Sequence, residues 1–291
     1  MDHEQDYTQR YDVSTETHFL PDSSIEIIRD VQIEGAPKFA LFDFDGTLSL
    51  VRAGWVDVMV PLMVHVLKAT QTDETEEELA KMATAFVMEL TGKQTIYQMI
   101  RLAEEVSKRR GIPLEPIEYK LQYHEALMES IQHRRDELES GRVPPERYLV
   151  AGSFQLLDDL QSRGVELYLA SGTDENYVRE EVELLGLSKY FGNHVYGAID
   201  DYKNFSKQMV IDRILTENNV EPSRLVGFGD GYVEIDNVKS SGGIAIGVAS
   251  DESASSGEPD PWKRDRLIAV GADVIVPDFA EAARLMSYLC D

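Results

Sequence analysis

The sequence predicts an α/β fold: a parallel sheet with helices on both faces, interrupted after its first strand by an all-helical module. Three observations carry this. Five short apolar runs have the near-continuous hydrophobicity of strands buried on both faces. Helical patterns alternate with them through the second half of the chain. Between residues 51 and 145 the alternation stops, and the stretch holds several helical signals and no convincing strand.

In chain order, residues 1–37 are polar apart from Ser24-Ile25-Glu26-Ile27-Ile28, and are expected to form a mobile tail with a short strand near its end. Phe39–Phe42 is the first strand. Within 51–145, Thr72-Asp73 opens a helix with Glu76 in capping-box position, and Gly92 closes it. Ile96, Met99, Ile100 and Ala103 share one helical face ahead of Gly111. A further helix runs from Ile117 to Ser140, and Pro144-Pro145 marks the exit. The remaining strands are Val165–Ala170, Leu225–Phe228, Ile244–Val248 and Ala272–Val276. Helices over Phe154–Ser162, Glu175–Leu185, Ser206–Thr216 and Asp278–Leu289 fall among them. The chain thus divides into a tail (1–37), a core (38–50 and 146–291) and a helical insertion (51–145). Both ends of the insertion lie near strand carboxyl ends, where α/β sheets bind ligands, so a lid is expected.

At roughly 150 residues per domain, 291 residues suit about two domains. Acids outnumber bases 53 to 28, a formal charge of −25 that repels nucleic acids and anionic membranes. Cys290 is the single cysteine, and the six histidines show no metal-ligand spacing, which argues against disulfides and a zinc enzyme. No apolar run reaches the ~18 residues of a membrane span. The polar start MDHEQDYTQR lacks a signal-peptide pattern, so a cytoplasmic location is expected.

The first strand ends Asp43-Phe44-Asp45-Gly46-Thr47. Carboxylates at i and i+2 point the same way while strand geometry persists. Together in a cleft they raise a pKa unless a cation joins them, and Mg²⁺ suits two carboxylates plus a phosphate. Gly46 permits a sharp turn, and the Thr47 hydroxyl with nearby amides offers an anion seat. Ser171-Gly172-Thr173, at the next strand's end, is a second such seat. Gly229-Asp230-Gly231-Tyr232-Val233-Glu234 supplies two further acids. Lys203 or Lys207 supplies a cation between these segments. Each signal alone is weak; four in order, each at a junction a parallel sheet brings together, are not.

With these residues the chain resembles the haloacid dehalogenase (HAD) superfamily of phosphotransferases. DxDGT matches Asp43, Asp45, Gly46 and Thr47, the second motif matches Ser171, and GDxxxD/E matches Gly229, Asp230 and Glu234. The resemblance runs from about Phe39 to the C-terminus, including Val270–Phe279 as a final strand region. It implies a Rossmann-like parallel-sheet core with a helical cap between the first two motifs. Asp43 would be the nucleophile that forms an aspartyl-phosphate, and Asp45 the general acid/base. Mg²⁺ would be held by Asp43, the Asp45 main-chain carbonyl and Asp230, with Glu234 acting through water. Ser171, Gly172 and a lysine would bind phosphoryl oxygens. Lys207, following the N-cap Ser206, is favoured over Lys203. Asp45 separates the chain from dehalogenases and phosphonate hydrolases, which lack that acid.

The expected reaction is Mg²⁺-dependent hydrolysis of a small phosphate monoester, for example a phosphosugar. The alternatives are a phosphosugar mutase using the same aspartyl-phosphate and a non-catalytic binding protein. The loop Thr91-Gly92-Lys93-Gln94-Thr95 offers Lys93 and Gln94 to a substrate; Arg52 and Trp55, near the cap entrance, are further candidates, Trp55 fitting the core better. The basic runs Lys108-Arg109-Arg110 and Lys263-Arg264 are expected to be solvated.

Overall fold

A computed structural model of the chain describes residues 6–31, 35–199 and 201–290. Its eight-stranded sheet is built from β1 (His18–Phe19), β2 (Glu26–Ile27), β3 (Phe39–Phe42), β4 (Glu166–Asp174), β5 (Val195–Ala198), β6 (Leu225–Gly229), β7 (Ile244–Val248) and β8 (Val274–Val276). The spatial order is β1-β2-β8-β7-β6-β3-β4-β5. The six strands β3 to β8 pair in parallel, and β1 and β2 add antiparallel at one edge. The helices are α1 (Val56–Lys68), α2 (Glu76–Glu89), α3 (Thr95–Lys108), α4 (Pro116–Glu139), α5 (Ser153–Ser162), α6 (Glu175–Leu184), α7 (Ser188–Phe191), α8 (Lys207–Asn218), α9 (Tyr232–Ser240), α10 (Pro261–Val270) and α11 (Ala282–Cys290). The α/β architecture is as the strand–helix alternation predicts. Fully buried strands such as Phe39–Phe42 and Ile244–Val248 read as unbroken apolar runs because helices cover both faces.

Chain order reverses at β3, which lies between β6 and β4. At such a switch point the loops leaving adjacent strands diverge and open a crevice at the carboxyl edge. Asp43, Ser171 and Asp230 all stand at that edge, just beyond β3, within the end of β4 and just beyond β6.

Helices α1 to α4 all lie between β3 and β4 and pack on one another. Helix α2 begins later than Thr72-Asp73 predicts. Thr75 is its N-cap, its hydroxyl accepting from the Glu78 main chain while the Glu78 carboxylate accepts from the Thr75 N–H. Thr72 instead pairs with Glu74.

The expected mobile tail does not hold for residues 18–28. Glu26 and Ile27 pair with Ile275 and Val274, and Ile25, Ile27 and Ile28 are buried. The odd polar member, Glu26, is buried too, satisfied by Arg264 and the Thr17 hydroxyl. Residues 1–5 and 32–34 of the expected tail lie outside the described residues. No described helix is long and apolar enough to cross a membrane.

Candidate functional site

At the switch point Asp43 leaves β3 with its carboxylate turned into the crevice. Its Oδ1 accepts from the Phe44 N–H at 2.8 Å and lies 2.9 Å from Lys207 Nζ. Lys207 reaches this position because Ser206 caps α8, its hydroxyl accepting from the Met209 N–H, so the first helical side chain points back to the sheet edge. The same ammonium donates to Glu234 Oε2 at 2.7 Å, and Glu234 Oε1 accepts from the Gly231 N–H at 2.6 Å. One carboxylate oxygen from each of Asp43, Asp230 and Glu234 lies within 4.8 Å of the others. Burial pushes the Asp43 carboxyl well above its ordinary range and Glu234 and Asp230 push it further, while Lys207 opposes them. Such a cluster of hard oxygen donors could hold a divalent metal ion, and its chemistry fits Mg²⁺.

Asp45 occupies a different environment. Its Oδ2 accepts from the Thr173 hydroxyl at 2.8 Å. Its Oδ1 is buried without a hydrogen-bond partner among the described residues, 3.8 Å from Arg52 Nε. Burial raises its pKa to about 6; Arg52 opposes the rise, and Glu181 and Glu252 add to it. A carboxyl in this range both gives and takes a proton near neutrality. Arg52 is itself committed to Glu181, with Nη2–Oε1 at 2.8 Å and Nε at 3.1 Å from both carboxylate oxygens.

A cavity of about 250 Å³ opens over these groups. Asp43, Asp45, Ser171, Gly172, Thr173, Lys207 and Asp230 form its floor, and the helical module supplies Arg52, Trp55, Val56, Met59, Met88, Lys93, Gln98, Tyr123 and Leu127. Trp55, expected in the core, packs against it and also lines the cavity. The two parts pack main chain against main chain at Gly172, where a Cβ would meet the Lys93 carbonyl oxygen at 2.9 Å. Lys93 lines the cavity but is bound to Asp6 at 2.7 Å.

Four expectations are corrected. Thr47 is fully buried, and its hydroxyl accepts from the Asp230 N–H at 2.9 Å, so it braces the Asp230 loop instead of facing a phosphate. Gln94 does not line the cavity; its amide donates to the carbonyls of Phe205 at 2.9 Å and Tyr202 at 3.2 Å. Lys203 sits in a 3-10 turn with its ammonium over the Tyr202 ring, and the lysine on Asp43 and Glu234 is Lys207. Lys263 is not solvated: it is buried and contacts Asp230 and Glu252, each at 2.7 Å. Sequence reasoning also passed over Thr173 and Glu181. Thr173 lies inside the quoted Ser-Gly-Thr segment, and its distance of two residues from Ser171 puts both on one side of the strand. Nothing local marks Glu181.

No curated protein matches this chain. Among solved structures it is similar to a predicted phosphoglycolate phosphatase from Haemophilus somnus 129PT, at 15% identity and a TM-score of 0.57, covering 85% of this chain and 97% of that one. It is likewise similar to a haloacid dehalogenase-like protein of unknown function from Agrobacterium tumefaciens C58, at 18% identity, TM-score 0.56 and coverage of 86% and 97%. A β-phosphoglucomutase from Clostridium difficile follows at 15% identity, TM-score 0.55 and coverage of 87% and 97%. At such identities the likeness is one of fold. The family model described as haloacid dehalogenase-like hydrolase matches residues 37–242. Those residues span β3, the helical module and the acids at the carboxyl edge, and on that match this chain belongs to the haloacid dehalogenase-like hydrolases.

Proposed function

We propose that the protein is a Mg²⁺-dependent phosphatase acting on a small phosphate monoester through an aspartyl-phosphate on Asp43. The observation that carries the reading is the pairing of two carboxyls in opposite surroundings. Asp43 is held beside Lys207 in a cluster with Asp230 and Glu234, and Asp45, two residues on, keeps an unpartnered buried oxygen. Carboxyls divided in this way are suited to nucleophile and acid/base roles.

Both contacts described for the Asp43 carboxylate fall on Oδ1, so Oδ2 is the attacking oxygen. As its bond to phosphorus forms, the ester P–O bond breaks, and Asp45 gives its proton to the departing oxygen. Asp45 then takes a proton from the water that attacks the phosphoryl group, which restores Asp43. Lys207 and the Ser171–Gly172 edge hold the phosphoryl oxygens in place. Asp43, Asp230 and the Asp45 carbonyl would hold Mg²⁺, and Glu234, already bonded through both oxygens, would act on it through water. The bound ion supplies charge neutralisation for the transferring group. Helices α1 to α4 act as a cap that excludes bulk water and sets leaving-group selectivity, with Trp55, Met59, Tyr123 and Leu127 as its wall.

The test is phosphate release from p-nitrophenyl phosphate and a panel of phosphorylated metabolites, with Mg²⁺ and with EDTA. Mg²⁺-dependent release of inorganic phosphate supports the reading. Isomerised ester with little free phosphate would make it a mutase, and no reaction with any ester would leave only a binding role.

A further inference from the structure

Lys263 lies outside the four motif segments and has no part in the chemistry just assigned. Its Nζ is held by three oxygens: Asp230 Oδ2 at 2.7 Å, Glu252 Oε1 at 2.7 Å and Ser250 Oγ at 3.0 Å. An ammonium has three donors, and here each has an acceptor. The seat is built from several elements. Ser250 follows β7 and donates to the Gly46 carbonyl at 2.5 Å, which ties the seat to the turn after Asp43. Asp260 caps α10, and Pro261 fixes its first turn, so Lys263 extends from that turn to the carboxyl edge of the sheet. Its side chain is 10% exposed, as is that of Asp230. Gly46, at φ +73°, leaves room for the Asp230 carboxylate; a Cβ there would meet Oδ2 at 2.2 Å.

We infer that Lys263 is a tethered second cation of the phosphoryl-transfer centre: its ammonium fills a three-oxygen seat beside the Asp43–Asp230–Glu234 cluster, the place where a two-ion enzyme carries its second metal. The inference rests on the single-ion reading given above. Charge supports it. Asp43, Asp230, Glu234 and Glu252 carry four negative charges against the ammonium groups of Lys207 and Lys263. Two negative charges remain, which one divalent ion neutralises. Lys263 also engages Asp230 Oδ2, so Oδ1, 3.4 Å from the Thr47 hydroxyl, is the oxygen that would be left to hold an ion. Because the second cation is part of the chain, this half of the centre does not depend on metal concentration.

The test counts bound Mn²⁺ by electron paramagnetic resonance and calorimetry. Wild-type protein is expected to bind one ion per chain, Lys263→Ala two, and Lys263→Arg one. Glu252→Gln keeps the lysine and removes one negative charge, so its single Mn²⁺ should bind about tenfold more weakly. That variant gives a reading even if Lys263→Ala does not fold. One ion in wild type and in Lys263→Ala, at affinities within twofold, overturns the inference alone, as does an unchanged affinity in Glu252→Gln. No ion bound by wild type overturns the single-ion reading and this inference with it.

Discussion

The side-chain amide of Gln94 donates to the carbonyl oxygen of Phe205 at 2.9 Å, two residues before the buried Lys207. A residue at the start of α3 thus holds the loop that delivers the lysine to Asp43. Loss of this amide leaves the Phe205 and Tyr202 carbonyls without their donor, at a cost of about 1–3 kcal/mol. Gln94→Ala is expected to lower the melting temperature and to reduce kcat, because Lys207 loses its restraint. Calorimetric melting and steady-state kinetics on one preparation check both.

Gly172→Ala tests whether the module must close tightly on the core. The new Cβ would meet the Lys93 carbonyl oxygen at 2.9 Å and its carbon at 3.2 Å, both main-chain atoms that move only with the loop. The expected result is a fall of about tenfold in kcat/KM, since small displacements of positioning groups are costly to rate. Circular dichroism should show an unchanged fold.

Asp43→Asn should abolish phosphate release, because an amide is a poor nucleophile toward phosphorus. Asp45→Asn should slow turnover by about 10²–10⁴-fold, the usual worth of a placed acid/base. Rapid-quench labelling with a phosphorylated substrate should detect a protein-bound phosphate in the second variant and none in the first.

His124 predicts a pH-dependent stability. It stacks edge-on against Tyr177 and lies 3.4 Å from Asp174. Burial lowers its pKa to about 4, against an ordinary value of 6.5, although Asp174 pulls the other way. Between these values the unfolded chain takes up a proton that the folded chain does not. Stability therefore falls as pH drops from about 6.5 to about 4, by a few kcal/mol at most. His124→Gln should flatten this part of a denaturation-against-pH series.

Glu181 is fully buried, and its carboxylate is the partner of the buried Arg52 guanidinium. Glu181→Gln removes the bidentate partner and leaves only Asp45, 3.8 Å away, to offset that charge, at a cost of up to about 3–5 kcal/mol, a large share of a typical domain's ~5–15 kcal/mol. A urea midpoint shift of that size is expected. Replacing the pair together, as Arg52→Met with Glu181→Leu, should recover most of it.

Much of this arrangement is legible in the residues. Asp43, Ser171 and Asp230 each stand at the end of an apolar run, and a parallel sheet brings such ends to one edge. Serine at 206 marks a helix start, which places Lys207 rather than Lys203 beside the acids. What escaped depends on tertiary partners. The Lys263-Arg264 pair looks like any solvated basic run, and only Asp230, Ser250 and Glu252, from two other segments, bury the lysine. Thr47 sits within a phosphate-like motif, but a hydroxyl's direction is set by its neighbours, here the Asp230 main chain. β5 is four residues with a glycine inside, Val195-Tyr196-Gly197-Ala198, too short to show a period. The short strand expected near the end of the tail is present at Glu26–Ile27; its membership of the main sheet is hidden because its acid turns inward to Arg264 instead of marking a solvent face.

The hairpin of β1 and β2 gives β8 an antiparallel neighbour of two residues, with Glu26 locked inside it. So short a margin offers another molecule little to zip onto. Shorn of it, the chain would bare Val274–Val276, an all-apolar ribbon with unpaired amides. A protein trimmed to begin at Pro37 should therefore become adhesive while its acids still stand in place, and its solubility would fail before its chemistry.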